Sequence, residues 1–169
     1  MIGYAILFLF CRYPLSRDHI EVFKILVKNG INIDHRIWID SKIEGFKTYF
    51  SVLHVVCCKE NQRRSIDERE NTIDFLIENG VNINQSARDF FPVLHFVAKS
   101  GLLNLLKILL KHERVRKNID IIYEYWSDGD KGIGDWIKNT PLNQAIQSEQ
   151  TECAIYLMEN GANIFAVDK

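Results

Sequence analysis

Apolar residues recur along this chain with the spacing of short amphipathic helices. One stretch carries leucines at positions 102, 105, 106, 109 and 110, and another carries apolar side chains at positions 154, 155, 157 and 158. Because residues three and four apart share one face of a helix, both stretches predict helices that pack one face against a neighbour. An Asn-Gly pair follows the second stretch, and glycine ends a helix readily because it adopts the left-handed conformation without strain.

This ending occurs three times and marks an internal repeat. Asn29-Gly30, Asn79-Gly80 and Asn160-Gly161 each close an apolar stretch and lead into a short Asn-Ile segment, and a weaker fourth ending has Glu113 in the glycine position. Upstream of each ending lies a shared opening that predicts another short helix, whose best copy has Thr at the N-cap and Pro in the first turn. The openings are Thr140-Pro141-Leu142-Asn143, Pro92-Val93-Leu94-His95, Ser51-Val52-Leu53-His54 and, more weakly, Gly3-Tyr4-Ala5-Ile6.

These units resemble the ankyrin repeat. The last unit is the best match, with Thr140-Pro141-Leu142 and Asn160-Gly161-Ala162-Asn163 at the family's spacing and Asn143 where the family usually has His. The resemblance implies an all-α fold, a solenoid of helix-turn-helix units that repeat every ~33 residues and are joined by β-hairpin-like loops. It covers residues 1–169 as a single domain. Its four units are expected at about 1–34, 35–84, 85–121 and 122–169.

The chain departs from the family's period at two long insertions. Gly30 and Gly80 lie 50 residues apart, and Glu113 and Gly161 lie 48 apart. Some of the extra residues are predicted around Lys59–Arg69, in the turn between the two helices of the second unit. The others are predicted near Trp38–Thr48 and Tyr123–Asn139, in hairpins on the same edge of the solenoid, because surface loops of a repeat tolerate insertion. All three tryptophans of the chain lie within these two insertions.

Aromatic and charged residues at the hairpin tips are the candidate partner-binding residues, since the resemblance implies that the tips build a binding surface and since interfaces are rich in aromatic side chains. The alternative is that the rings fold back and cover an apolar flank of the repeats. The candidates are Asp34, His35, Arg36 and Trp38 at the first hairpin, Arg88, Asp89 and Phe90 at the second, and Tyr125, Trp126, Asp128 and Trp136 at the third.

Candidate catalytic and metal-binding groups favour a non-enzymatic interpretation. His54 and Cys58 are four residues apart on a predicted helix, so a thiolate and a base could meet. The resemblance instead implies that His54 and His95 hydrogen-bond the backbone between repeats. The histidines and cysteines lack metal-ligand spacing, and the stretch from Asp128 to Asp135 lacks the ligand pattern of a calcium loop. We therefore expect no cofactor, no metal and no catalytic residue.

Composition and charge narrow the class of partner. The 169 residues carry a net charge of −1, which does not favour nucleic-acid binding. No apolar run approaches the ~18 residues of a membrane span, so we expect no membrane partner. The four cysteines are scattered, which favours a reducing, cytoplasmic compartment, with the nucleus as a further possibility.

The sequence therefore predicts an intracellular protein–protein interaction module, a scaffold or adaptor that binds a protein partner through its hairpin tips and concave face. Two alternatives stay open, a fragment of a longer ankyrin array with a mainly structural role and a regulatory subunit of an enzyme. Neither end of the chain carries a polar capping helix, so self-association through the ends is also expected.

Overall fold

The computed structural model describes residues 17–40, 47–58, 65–86, 91–127 and 135–167. The chain divides into two compact units, residues 1–93 and 94–169. The first unit holds the helices α1 (Arg17–Lys28), α2 (Val52–Cys57) and α3 (Ile66–Glu78) and the strands β1 (Ile37–Asp40) and β2 (Lys47–Phe50). Helix α4 (Val93–Lys99) begins at the boundary. The second unit continues with α5 (Leu103–Lys111), α6 (Glu113–Arg116), β3 (Tyr123–Ser127), β4 (Asp135–Asn139), α7 (Pro141–Gln147) and α8 (Thr151–Glu159).

The three Asn-Gly endings share one geometry. Gly30, Gly80 and Gly161 have φ values of 83°, 84° and 93°, the left-handed region that glycine tolerates best. In each copy the residue after the glycine donates its N–H to a carbonyl five residues back, at 3.0–3.1 Å, and the asparagine side chain donates to the carbonyl four residues back, at 2.7–2.8 Å. These bonds satisfy the last carbonyls of α1, α3 and α8.

The third repeat ends differently from the expectation that Glu113 takes the glycine position. Glu113 instead begins the short helix α6. The turn toward the next repeat comes later, at Asn118-Ile119-Asp120, which has the same sequence as Asn32-Ile33-Asp34 in the first repeat. Glu113 therefore does not mark a turn equivalent to that of Gly80, although 33 residues separate the two positions.

Both long insertions form two-stranded antiparallel hairpins. In the first, Ile37 pairs with Phe50 and Asp40 with Lys47. In the second, Tyr123 pairs with Asn139 and Ser127 with Asp135. The loops between helices thus contain genuine paired strands, so the described fold is mainly α and not purely α.

Several helices begin directly after a polar residue whose side chain caps the helix. Ser51 and Thr140 cap α2 and α7 by accepting the N–H of the residue three positions on, at 3.4 and 3.2 Å. Ser65 and Glu68 form a reciprocal capping box at the start of α3. With their ends satisfied, the helices bury their apolar faces in each unit. Fully buried side chains include Leu53, Ile73 and Leu76 in the first unit and Leu106, Leu109 and Leu157 in the second.

Candidate interaction surface

Two buried histidines connect successive repeats. His54 Nε2 donates to the carbonyl oxygen of Phe91 at 2.7 Å, and its Nδ1 accepts from the Ser51 hydroxyl at 2.6 Å. His95 Nε2 donates to the carbonyl oxygen of Asn139 at 3.0 Å. Phe91 and Asn139 each stand directly before the opening of the next repeat. The prediction that these histidines bond the backbone between repeats is therefore confirmed.

Burial keeps both imidazoles neutral. It lowers the pKa of His54 and the pKa of His95 to about 4, against the smaller opposing effect of each backbone hydrogen bond. Burial also raises the pKa of the Cys57 thiol to about 12, although the charge of Arg69 acts in the opposite direction. The pairing of the Cys58 thiol with His54 as a base, which the sequence allowed, has no support here, because both ring nitrogens of His54 have structural partners.

Asp34 forms a second connection between repeats. Its carboxylate accepts the N–H of Asn82 at 2.6 Å, and its carbonyl oxygen accepts from the side chain of Gln85 at 2.8 Å. Asp120 repeats the first of these bonds by accepting the N–H of Asn163 at 2.8 Å. The carboxylate of Asp34, a candidate for partner binding, thus positions the turn of the following repeat.

In the second hairpin, successive side chains alternate between the two sides of each strand, and this alternation separates the aromatic residues into two groups. Trp126 and Trp136 face each other across the ladder with ring centroids 5.7 Å apart and ring planes at 75°. Their exposed fractions are 53% and 63%. Beside them, Lys138 Nζ lies 3.5 Å from the carboxylate of Glu124. These four residues form one exposed side of the hairpin, which we call the tryptophan face.

The tyrosines of β3 occupy the alternate positions. Tyr123 and Tyr125 are half-buried and stack on each other with centroids 6.1 Å apart. Tyr123 also meets the ring of His95 edge-on, at 6.2 Å. Tyr123 thus packs against a repeat, as the alternative of folded-back rings predicted, while the two tryptophans face outward. Partner binding by the tryptophans stays a prediction.

The first hairpin shows the same division between covered and exposed rings. Phe50, at the end of β2, is fully buried and its ring lies 5.7 Å from that of His54. Trp38 is about half exposed. His35 and Arg36 lie between the Asp34 turn and β1, and His35 donates its N–H to the carbonyl of Asn32 at 3.3 Å. The remaining candidates, Arg88, Asp89, Phe90 and Asp128, lie outside the described residues.

Three residues of these arrangements were not among the sequence candidates. Glu124 and Lys138 could have been found from the period of two along each strand, which places them on the same side as the tryptophans. Asp120 had a clearer signal, because the tripeptide Asn-Ile-Asp occurs both at residues 32–34 and at residues 118–120.

Across the described part of the chain, no helix is long and apolar enough to cross a membrane. Within the same ranges, no three His, Cys, Asp or Glu side chains come together as a metal site would require.

Paired helices closed by left-handed glycines, with histidine bonds from one pair to the next, define a protein of the helix-turn-helix repeat class. The model of the ankyrin-repeat family, in three copies, matches residues 65–168, and the chain belongs to this family. Ankyrin repeats imply a solenoid of helix-turn-helix units, and they are generally protein–protein interaction modules.

A curated relative shares part of the sequence. The chain is 32% identical over 80 residues to the probable E3 ubiquitin-protein ligase XBOS31 of Oryza sativa subsp. japonica. The match covers 47% of this chain and 15% of that protein. The similarity thus concerns a small part of the relative.

Proposed function

We propose that the chain is a non-enzymatic scaffold or adaptor that binds a protein partner through its hairpins. The observation that carries the proposal is the tryptophan face, where two indole rings more than half exposed stand side by side on a paired hairpin. Exposed tryptophans are enriched among the residues that dominate binding energy at protein interfaces.

Preorganisation is the proposed mechanism of binding. The ladder from Tyr123 to Asn139 and the packed tyrosines beneath it hold the tryptophan face before a partner arrives. Little side-chain entropy is then lost on docking, so more of the contact energy remains as affinity. Trp38, on the first hairpin, is proposed to add a second contact of the same type, together with His35 and Arg36.

The proposed role of the other candidates follows from their position. Asp34 contributes by holding its turn, through the bond to Asn82. Tyr125 supports the tryptophan face from the opposite side of the strand. The assignments of Arg88, Asp89, Phe90 and Asp128 to partner binding stay predictions from the sequence. We also propose that the concave face contacts the partner. The proposed location is the cytoplasm, with the nucleus as the alternative compartment.

Affinity capture with purified bait tests the proposal. The wild-type chain, the double variant Trp126→Ala/Trp136→Ala and the control Ile66→Ala are compared, because Ile66 is an exposed apolar residue on α3, outside the hairpins. We expect the wild type and the control to retain the same specific proteins and the tryptophan variant to lose them, with an unchanged helical circular dichroism spectrum. Equal retention by all three baits would contradict the role of the tryptophan face.

Two other functions remain as proposals. The relative that shares 80 residues is a probable E3 ubiquitin-protein ligase, which supports a role as a regulatory or binding part of an enzyme assembly. The second alternative function is a mainly structural role within a longer ankyrin array. We also propose that copies of the chain associate with one another through exposed apolar side chains of the first and fourth repeats, which include Ile25 and Met158.

A further inference from the structure

The charges around the tryptophan face are mostly negative. The described residues between Asn118 and Val167 include six acidic side chains and one basic side chain. The acidic residues are Asp120, Glu124, Asp135, Glu149, Glu152 and Glu159, and the basic residue is Lys138. Because Lys138 Nζ lies 3.5 Å from the carboxylate of Glu124, these two charges offset each other. The described parts of the hairpin and of the fourth repeat therefore create a negative electrostatic potential.

Asp135 places one of these carboxylates beside the tryptophan face. Its Oδ1 accepts the N–H of Trp136 at 2.8 Å, and the residue is exposed. The donor in this bond is an uncharged backbone group, so the bond leaves the negative charge of the carboxylate in place. A cation that approaches Trp136 thus comes close to a carboxylate as well as to an indole ring.

The two indole rings expose a surface that attracts cations. Their planes meet at 75°, their centroids lie 5.7 Å apart, and Trp126 and Trp136 are each more than half exposed. The face of an aromatic ring carries the negative part of its quadrupole, and among aromatic side chains tryptophan attracts cations best. The second unit already contains one contact of this type, in which Lys107 Nζ lies 5.6 Å from the ring centroid of Tyr156.

We infer that the tryptophan face binds a basic segment of the protein partner, whose arginine side chains stack on the two indole rings. A guanidinium is planar, so it lies flat on an aromatic ring while its N–H groups donate to acceptors beside the ring, here the carboxylate of Asp135. The negative potential of the hairpin attracts such a segment and orients it. This inference rests on the proposed function, because it names the chemistry of the partner for the same surface.

Charge distinguishes this partner from other classes of ligand. Nucleic acids and anionic lipid surfaces are negatively charged, so the acidic residues around the tryptophan face repel them. A neutral proline-rich segment also packs on aromatic rings, but the surrounding carboxylates would add nothing to its affinity. The basic segment is the partner that uses both the rings and the charge.

Synthetic peptides of eight residues test the inference on the full chain. Three of them alternate glycine with arginine, with lysine or with glutamate, and the fourth consists of proline alone. Fluorescence anisotropy of the rhodamine-labelled peptides measures Kd at low and at high salt. We expect the arginine peptide to bind most tightly, the lysine peptide more weakly and the glutamate peptide not at all. High salt should weaken the binding, because it screens exposed charges.

Two double variants separate the contribution of the rings from that of the charges. Trp126→Leu/Trp136→Leu keeps apolar side chains and removes the rings, so Kd for the arginine peptide should rise about tenfold. Glu124→Gln/Asp135→Asn removes two negative charges and keeps the acceptor atoms, so Kd should rise about threefold. Circular dichroism checks folding. If the leucine variant unfolds, the charge variant and the comparison of arginine with lysine decide the test.

A matched control removes two negative charges elsewhere. Asp67→Asn/Glu78→Gln changes exposed residues of α3, outside the hairpins, and should leave Kd unchanged. The inference is overturned if the proline peptide binds more tightly than the arginine peptide, if the arginine peptide does not bind, or if the charge variant binds it as the wild type does. The proposed function has its own test, since affinity capture still shows whether a partner depends on Trp126 and Trp136. A captured partner that needs both tryptophans but is retained equally by the charge variant would leave the proposed function intact and reject the basic segment.

Discussion

The imidazole of His54 donates to the carbonyl of Phe91, 37 residues further along the chain, and His95 repeats this bond to Asn139. Burial disfavours the charged imidazolium, so it lowers the pKa of each ring to about 4 and keeps both rings neutral. An unfolded histidine titrates near ~6.5. The two histidines therefore make the stability of the fold depend on pH.

We predict that the free energy of unfolding falls as the pH drops from about 6.5 toward 4. In this window the two histidines bind protons in the unfolded chain but not in the folded chain, so protonation favours unfolding. The loss of stability levels off below the folded pKa of about 4. Each histidine accounts for at most about 3 kcal/mol, at ~1.4 kcal/mol per pH unit. Urea titrations between pH 7.5 and 4.5 measure the slope.

A matched control comes from the chain itself, since Asn143 occupies the histidine position in the fourth repeat. His54→Asn/His95→Asn should lower stability at neutral pH and flatten its dependence on pH between 6.5 and 4. If the double variant keeps the wild-type slope, other groups cause the pH dependence.

The carboxylate of Asp34 provides a second test, because it accepts the N–H of Asn82 in the next repeat. Asp34→Ala should lower the free energy of unfolding by about 1 kcal/mol, since a part-exposed hydrogen bond to a charged group is lost. Asp34→Asn keeps an acceptor and should lose less. Denaturant titration measures both, with Asp120→Ala as the parallel case. Unchanged stability with weakened partner binding would instead identify Asp34 as a recognition residue.

Glu149 holds a left-handed backbone, with φ of 58°. It is equivalent to Gly101 of the third repeat, with φ of 67°, because each of the two donates its N–H to the carbonyl three residues back. Side chains with a Cβ pay for this conformation, so Glu149→Gly should raise the free energy of unfolding by about 1 kcal/mol. Glu149→Ala, which removes the carboxylate and keeps the Cβ, should change little. The converse substitution Gly101→Ala should destabilise, because it adds strain and brings a Cβ against the side chain of Gln150. A Glu149→Ala gain equal to that of Glu149→Gly would assign the effect to the side chain and not to the backbone.

The two sides of the second hairpin should respond differently to truncation. Trp126→Ala and Trp136→Ala each remove a half-exposed ring, so each should cost about 1 kcal/mol of stability or less. Tyr123→Ala removes a ring packed against His95 and Tyr125, and we expect a loss of about 2 kcal/mol. Thermal and urea unfolding compare the three variants. A larger loss at the tryptophans than at Tyr123 would mean that the tryptophan face serves stability.

Much of the fold could be predicted from local signals. The Asn-Gly endings and the polar openings act within a few residues, through left-handed glycines and N-caps, so their geometry at Gly30, Gly80 and Gly161 follows from the chain alone. The end of the third repeat was predicted incorrectly. The helix that begins at Glu113 depends on more than the residue type at that position, so a local signal did not reveal it.

The candidate surface was predictable only in part. The sequence by itself determined that aromatic residues concentrate in two insertions and that the chain is built of ankyrin repeats, because repetition and composition are properties of the chain. Only the tertiary structure decided that Tyr123 packs inward while Trp126 faces outward, and that the carboxylate of Asp34 meets Asn82, 48 residues away. Burial and pairing of this kind depend on which residues folding brings together, and distance along the chain does not specify that.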